Sequence, residues 1–325
     1  MPTNAASTPN TASTAPRTSA EIVSQPALWR QAAQSLPRHT AALPRRGERV
    51  AAVGCGTSWF MAQSYAALRE GGGHGETDAF AASEFPHGRR YDRILAITRS
   101  GTTTEVLDLL HRVQGTTPTS AITADPATPV MRAADAVVVL DFADEESVVQ
   151  TRFATTSLAL LRAHLEAQDA LPVGVRPLDA AIRDAERAVV EPLDAAVCGA
   201  EQFTFLGVGW TSGLALEAGL KMREAAGAWT EAYPAMEYRH GPISITGPGR
   251  VVWAFGPLPA GLADDVARVD GTLVATSTGA ATGLDPLADL IRAQRLAVVL
   301  AEARGYDPDR PRNLTRSVVL GDSHV

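Results

Sequence analysis

Three stretches of the 325-residue sequence bring together residue types able to do chemistry. The first is Gly54-Cys55-Gly56-Thr57-Ser58, set between an apolar run and an amphipathic one. At a strand-to-helix turn, glycines permit a tight backbone while hydroxyls and the first helical N–H groups face outward, which suits an anion. The second, Thr98-Arg99-Ser100-Gly101-Thr102-Thr103-Thr104-Glu105, repeats that setting with more hydroxyls. A phosphate requires short donors converging without bulky side chains, and a helix N-terminus adds a dipole that favours negative charge. Each stretch also has a plainer reading as a capped helix start, where Ser and Thr are favoured. A dinucleotide site is the other rival, but Trp59 stands at the third glycine position of G-x-G-x-x-G.

The third stretch is LALEAGLKMREAAGAWTEAYPAMEYRHGPISI, in which Glu217, Lys221 and Glu224 fall at i, i+4 and i+7 and share one helix face. A carboxylate held beside a lysine can move a proton. The same spacing is also that of an exposed ion-pair ladder, worth roughly a few tenths of a kcal/mol per pair. His240, preceded by Glu237 and Arg239 and followed by Gly241-Pro242, has a bland reading as a loop histidine bonded to backbone.

Apolar runs alternating with amphipathic stretches must position these groups. Strands are expected at Arg49 to Val53, Arg93 to Thr98, Thr119 to Thr123 and Ala136 to Leu140, with runs between most of them long enough for crossover helices. That alternation predicts a parallel, doubly wound sheet. A helix-rich connector from Thr155 to Val197 leads to a second series, with strands at Gln202 to Val208, Val251 to Phe255 and Thr272 to Thr276. VGCGTS at Val53 to Ser58 and LGVGWTS at Leu206 to Ser212 open the two series alike, which predicts an internal duplication. The expected organisation is a disordered Thr/Ala/Pro/Ser-rich tail over 1–20, a first domain over 21–185, a second over 186–305, and a tail over 306–325 that closes the site.

Composition narrows the partners. The net charge of −7 is spread through the chain, so no basic stripe points to nucleic acid or an anionic membrane. No apolar run is long enough to span a bilayer, and the N-terminal segment lacks the features of a signal peptide. Cys55 and Cys198 lie far apart without a metal-ligand spacing, which predicts neither a disulfide framework nor a zinc site and fits a reducing cytoplasm. Cys55 is expected to be a small buried residue in its turn and Cys198 a core one.

Taken together, GCGTS, SEF at Ser83 to Phe85, TRSGTTTE, ALEAGLKMREAAGAWTEAYPAMEYRHGP and PRNLTRSV resemble, in the same order, the isomerase half of glutamine:fructose-6-phosphate aminotransferase, a pair of SIS (sugar isomerase) domains. The resemblance begins near Glu21, where EIVSQP is similar to that family's opening segment. It implies an α/β fold of two SIS lobes, each a doubly wound parallel sheet flanked by helices, in a homodimer with composite active sites.

By motif it places Gly56, Thr57, Ser58, Thr98, Arg99, Ser100 and Thr103 around a sugar phosphate, with Gln150 of SVVQTRF lining the same pocket. Arg99 stands where the family has glutamine, a change expected to strengthen phosphate binding through a charge-assisted contact. Glu224 matches the base that moves a proton between C1 and C2, with Lys221 beside it as donor to the intermediate. His240 matches the ring-opening histidine, which in the family reaches the site from a second subunit.

Arg316 occupies the position of the family's imine-forming lysine and, staying protonated, cannot be that nucleophile. The sequence begins Met1-Pro2 and not with a catalytic cysteine, so no ammonia is expected from glutamine. The implied activity is a phosphosugar isomerase/deaminase that converts an amino-sugar phosphate to a ketose phosphate and ammonia, with no metal or organic cofactor. The alternatives are an aldose/ketose isomerase or deglycase, or a non-catalytic phosphosugar sensor.

Overall fold

A computed structural model describes residues 16–275 and 283–321. The expectation of a disordered segment over 1–15 therefore lies outside the described residues, as does Thr276, the last residue of a predicted strand. Helix α1 (Arg17–His39) begins four residues ahead of the predicted boundary at Glu21. The reason is long-range: Asp309 accepts hydrogen bonds from the Arg17 and Thr18 amides at 2.9 and 2.8 Å and from the Thr18 hydroxyl at 2.7 Å. Free N–H groups at a helix start need such an acceptor. Pro26 lies inside α1 and has no N–H for the Ile22 carbonyl, and the Gln25 side-chain amide takes that place at 3.0 Å.

The first sheet follows as β1 (Val50–Gly54), α2 (Thr57–Gly71), β2 (Thr77–Ala81), β3 (Arg93–Ile97), α3 (Thr104–Val113), β4 (Thr119–Thr123), the single turn α4 (Val130–Ala133) and β5 (Ala136–Val139). Its order is β2-β1-β3-β4-β5, and every pair is parallel. Helices α5 (Arg152–Ala167), α6 (Leu178–Ala188) and α7 (Ala195–Cys198) lead to the second. That sheet is built from β6 (Gln202–Gly207), α8 (Thr211–Ala226), β7 (Trp229–Pro234), β8 (Arg250–Phe255), α9 (Leu262–Arg268) and β9 (Thr272–Ala275), and α10 (Pro286–Ala303) completes the helices. Its order, β7-β6-β8-β9, is again wholly parallel.

Strands β1, β3, β4 and β6 are buried along their whole length, as parallel strands covered by helices on both faces must be. Two strands were not expected, β2 and β7, and both lie at a sheet edge with most positions only half-buried or exposed. One apolar core runs beneath both sheets: Phe60, Met61 and Tyr65 of α2 share it with Leu214 and Met222 of α8 and with Phe205 of β6. Helix α2 packs on α8, and α1 packs on α5, α6 and α10.

Candidate active site

In each sheet the chain turns back across its first strand, at β1/β3 and at β6/β8, and in open parallel sheets the crevice beyond the strand ends at that point receives ligands. At β1/β3 the crevice is a cavity of about 200 Å³. Gly54 ends β1, and a Cβ there would meet the Ser58 backbone at 2.6 Å, so glycine lets α2 start directly over the strand end. Gly56 holds the turn at φ +53. The turn delivers Thr57 and Ser58, both buried, to the cavity wall. Thr98, Arg99, Ser100 and Thr103 come from the loop after β3, and Gln150 comes from the segment before α5.

Glu224 enters the same cavity from α8, and residues 314–318 of the tail, including Arg316, form its roof. Every residue assigned to binding from the sequence therefore lines one cleft together with the assigned base. Three buried polar atoms of the lining residues, Thr98 Oγ1, Glu105 Oε2 and Gln150 Nε2, have no protein hydrogen-bond partner among the described residues. Buried polar groups are ordinarily satisfied, so these atoms leave hydrogen-bonding capacity in the cleft wall.

The carboxylate on α8 sits on a charge cluster that is buried, which rules out the exposed ladder. Glu217 and Lys221 have side chains 0% and 1% exposed, against 18% for Glu224. Lys221 donates to Glu224 Oε2 and lies 3.5 Å from Glu217 Oε1. Burial pushes Glu217 up to about 8, with Lys221 opposing and Glu224 reinforcing. Burial acts to lower Lys221, but the two carboxylates outweigh it and hold the ammonium above its usual range. A dry site with a single ammonium disfavours a second carboxylate, so burial holds the proton on Glu217, while Lys221 is hydrogen-bonded to Glu224. Lys221 lies beneath Glu224 and is not itself among the residues lining the cleft, where its hydrogen bond orients the Glu224 side chain.

Arg99 has protein partners as well as a place in the cleft wall. Its guanidinium is turned to Glu145 Oε2 and to the carbonyls of Ser147 and Val148, each at 3.3 Å, and to the Arg316 carbonyl at 3.0 Å. It is a strut between the loop after β3, the 145–148 segment and the tail. Arg316 likewise pairs with Asp144 and donates to the Glu145 carbonyl. Thr102 Oγ1 meets Ser317 Oγ at 3.0 Å, and the Thr104 amide donates to the Val318 carbonyl at 3.2 Å. Sequence reasoning missed Asp144, Glu145 and Ser317 because their partners lie far along the chain. His240 is exposed on the turn Glu237–His240 after β7 and does not line its own chain's cleft.

Cys55 is half-buried and lines the cleft, and Cys198 is also half-buried, packed against the core edge; both were expected deeper. Burial, with Glu105 adding, pushes the Cys55 thiol up to about 11, so it is protonated at neutral pH and is no nucleophile.

Over 307 residues, 84% of this chain, the sequence is 29% identical to the glutamine–fructose-6-phosphate aminotransferase of Methanothermobacter thermautotrophicus, covering 52% of that protein. The chain thus spans about half the length of the curated relatives that it matches over most of its own. Among solved structures it is similar to a glucosamine-6-phosphate deaminase from Thermotoga maritima, with a TM-score of 0.78, 24% identity and coverage of 94% of this chain and 100% of that one. The C-terminal domain of glucosamine-fructose-6-phosphate aminotransferase from Francisella tularensis follows at 0.75, with 20% identity over 93% of this chain and 100% of that one. The chain resembles the SIS (sugar isomerase) family. No family model matches it.

The SIS likeness extends over both sheets, and the second sheet has its own crevice. A cavity of about 640 Å³ lies there, walled by Val208, Trp210, Pro257 and Leu284 together with 172–176. Its one acid, Asp285, is already held by both terminal nitrogens of buried Arg162 at 2.9 and 2.7 Å. The charge and hydroxyl chemistry of the chain is therefore concentrated at the first crevice. Among the described residues no cluster of His, Cys, Asp and Glu has the makings of a metal site, and no helix is long and apolar enough to cross a membrane.

Proposed function

We propose that the chain is a phosphosugar isomerase/deaminase acting on an amino-sugar phosphate such as glucosamine 6-phosphate. Glu224 carries the reading: it is a carboxyl group in a hydroxyl-lined cleft, held by a hydrogen bond from Lys221 beneath it, at the wall of the space the sugar would fill. The names of the solved neighbours, a glucosamine-6-phosphate deaminase and a tagatose-6-phosphate ketose/aldose isomerase, support the substrate class. The phosphate binds among Ser100, Thr103 and the hydroxyls of Thr57 and Ser58, near the starts of α2 and α3. Glu224 takes the proton at C2 of the open-chain aldose and returns it at C1, which converts the C2–N bond to an imine. Water adds at C2, ammonia leaves, and a ketose phosphate remains.

His240, exposed on its own chain, serves ring opening in the cleft of a second copy, so the working unit is a homodimer. The molecule works without a metal or organic cofactor, in the cytoplasm, and with no nucleic-acid or membrane partner. The division into a first SIS domain over 21–185 and a second over 186–305, with the tail closing the site, is part of the same proposal.

The test is ammonia and ketose-phosphate release from glucosamine 6-phosphate and a panel of sugar phosphates. Glu224→Gln is expected to lower turnover by about 10²–10⁴-fold, the usual worth of a positioned base, while a sugar phosphate still raises the melting temperature. Ketose formation without ammonia would make the protein a plain isomerase. Thermal stabilisation without any turnover by the unmodified protein would make it a sensor.

A further inference from the structure

Glu21, the acid of the EIVSQP segment, is buried near the start of α1 and is not among the residues lining the cleft. Its partners are donors from one short stretch far along the chain. Oε1 accepts the Glu146 amide at 2.6 Å and the Ser147 amide at 3.3 Å, and Oε2 accepts the Ser147 hydroxyl. A carboxylate accepts through both oxygens, whereas a glutamine of the same shape turns an NH2 group against one of these donors.

The stretch that Glu21 holds leads directly into the cleft wall. Val148 and Gln150 line the cavity, and Gln150 Nε2 is one of its buried atoms without a protein partner. Other contacts reach the stretch from three sides. The Val148 amide donates to the Asp309 carbonyl at 3.1 Å, Arg99 donates to the Ser147 and Val148 carbonyls, and Glu145 Oε1 accepts the Thr151 hydroxyl and the Arg152 amide at 2.8 and 2.6 Å where α5 begins. Glu21 supplies the fourth side, from a helix that Ile22 and Trp29 fix in the core and that packs on α5, α6 and α10. The wall is thereby set against the most firmly seated element near it.

We propose that Glu21 is a positioning residue for the sugar-phosphate site: its carboxylate sets the 146–147 turn against α1, and the turn so placed holds Gln150 where Nε2 meets the ligand. The inference rests on the sugar-phosphate reading of the cleft and adds to it a group that touches no substrate. A side chain that only stabilised the fold would alter the melting temperature, whereas one that sets Gln150 alters affinity. Displacing a binding group weakens the ground state and the transition state alike, so the effect falls on KM and spares kcat.

The experiment measures Kd by titration calorimetry, and KM and kcat for product release, with glucosamine 6-phosphate or the best binder of the sugar-phosphate panel. It uses the full chain, Glu21→Gln, Gln150→Ala and the double variant. Glu21→Gln is expected to raise Kd and KM about tenfold with kcat little changed, as loss of a charge-assisted hydrogen bond at a binding wall does, and Glu21→Asp, which keeps both acceptors, to recover part of that loss. Residues that act through one contact are non-additive, so the double variant is expected to match Gln150→Ala within about twofold. A lowered melting temperature with affinity unchanged, or losses that multiply in the double variant, would overturn the proposal and leave the sugar-phosphate reading standing. Should Glu21→Gln fail to fold, Ser147→Ala removes one donor from the other side of the contact and is judged by the same readouts. Absence of binding and turnover across the whole panel by the unmodified protein would overturn that reading and this one with it.

Discussion

Gly54 and Gly207 end the first strands of the two sheets, and each lets the following helix pack so close that a Cβ would collide with it, at 2.6 Å from Ser58 and 2.3 Å from Thr211. Two residues later Gly56 and Gly209 hold nearly the same left-handed turn, at φ +53 and +58. The two crevices share these parts and differ in what fills them. Around the first stand Thr98, Ser100, Thr103 and Gln150, with buried polar atoms still unsatisfied; around the second stand Val208, Trp210, Pro257 and Leu284. The backbone of a strand-to-helix turn can thus be duplicated whole while the side chains decide whether the crevice serves a ligand or the fold.

The buried ion pairs sharpen this contrast most. Arg162 holds Asp285 at the start of α10 with both side chains nearly inaccessible. Arg162→Met strands that carboxylate and is expected to cost about 3–5 kcal/mol, read as a urea midpoint, with kcat per folded molecule unchanged. A variant that kept its stability and lost turnover would show the second crevice to be functional after all.

The hydroxyls provide a matched pair of smaller changes. Thr211 Oγ1 donates to the Phe255 carbonyl at 2.8 Å and accepts from the Val208 amide at 2.8 Å, so Thr211→Val is expected to lower stability by about 1–3 kcal/mol without altering sugar-phosphate binding. Thr98 Oγ1 has no protein partner, so Thr98→Val is expected to weaken sugar-phosphate binding by about tenfold with the melting temperature kept. Interchanged results, in calorimetry and a binding titration, would erase the distinction between the crevices.

A last expected effect is one of pH. The folded chain keeps a proton on Glu217 up to about 8, whereas the unfolded chain releases it in the ordinary carboxylate range. That contribution to stability is complete at acid pH and is lost as pH rises towards 8. Glu217→Gln is expected to flatten this part of the stability–pH curve, measured by denaturant unfolding at several pH values. An unchanged slope would mean that Glu217 is ionised beside Lys221.

Much of this contrast was legible before any coordinates. Apolar runs marked β1, β3 and β8, and mixed apolar and Thr/Ser runs marked β4 and β6, because these strands are buried under helices, and the Gly/Ser/Thr turns marked the crevices because few other residues fit a tight, donor-rich strand end. Strands β2 and β7 escaped notice for a physical reason: TDAFA and WTEAYP lie at sheet edges, half in solvent, and carry neither a buried run nor a clean alternation. The spacing of Glu217, Lys221 and Glu224 gave their shared face and nothing of its burial, which depends on α2 packing across α8. The struts from Arg99 to Glu145 and from Arg316 to Asp144 run 46 and 172 residues along the chain, beyond any local pattern.

The hold of Asp309 on the first turn of α1, together with the Asp309 carbonyl that accepts the Val148 amide, bears on the timing of synthesis. Residues 305–318 leave the ribosome after both sheets and the ten α-helices of the described residues have been made. Until Asp309 reaches α1, the first and second halves can meet through their common core, but the cleft has walls and no roof. A chain made as far as α10 can therefore fold its two sheets on a common core before the walls of this cleft are covered.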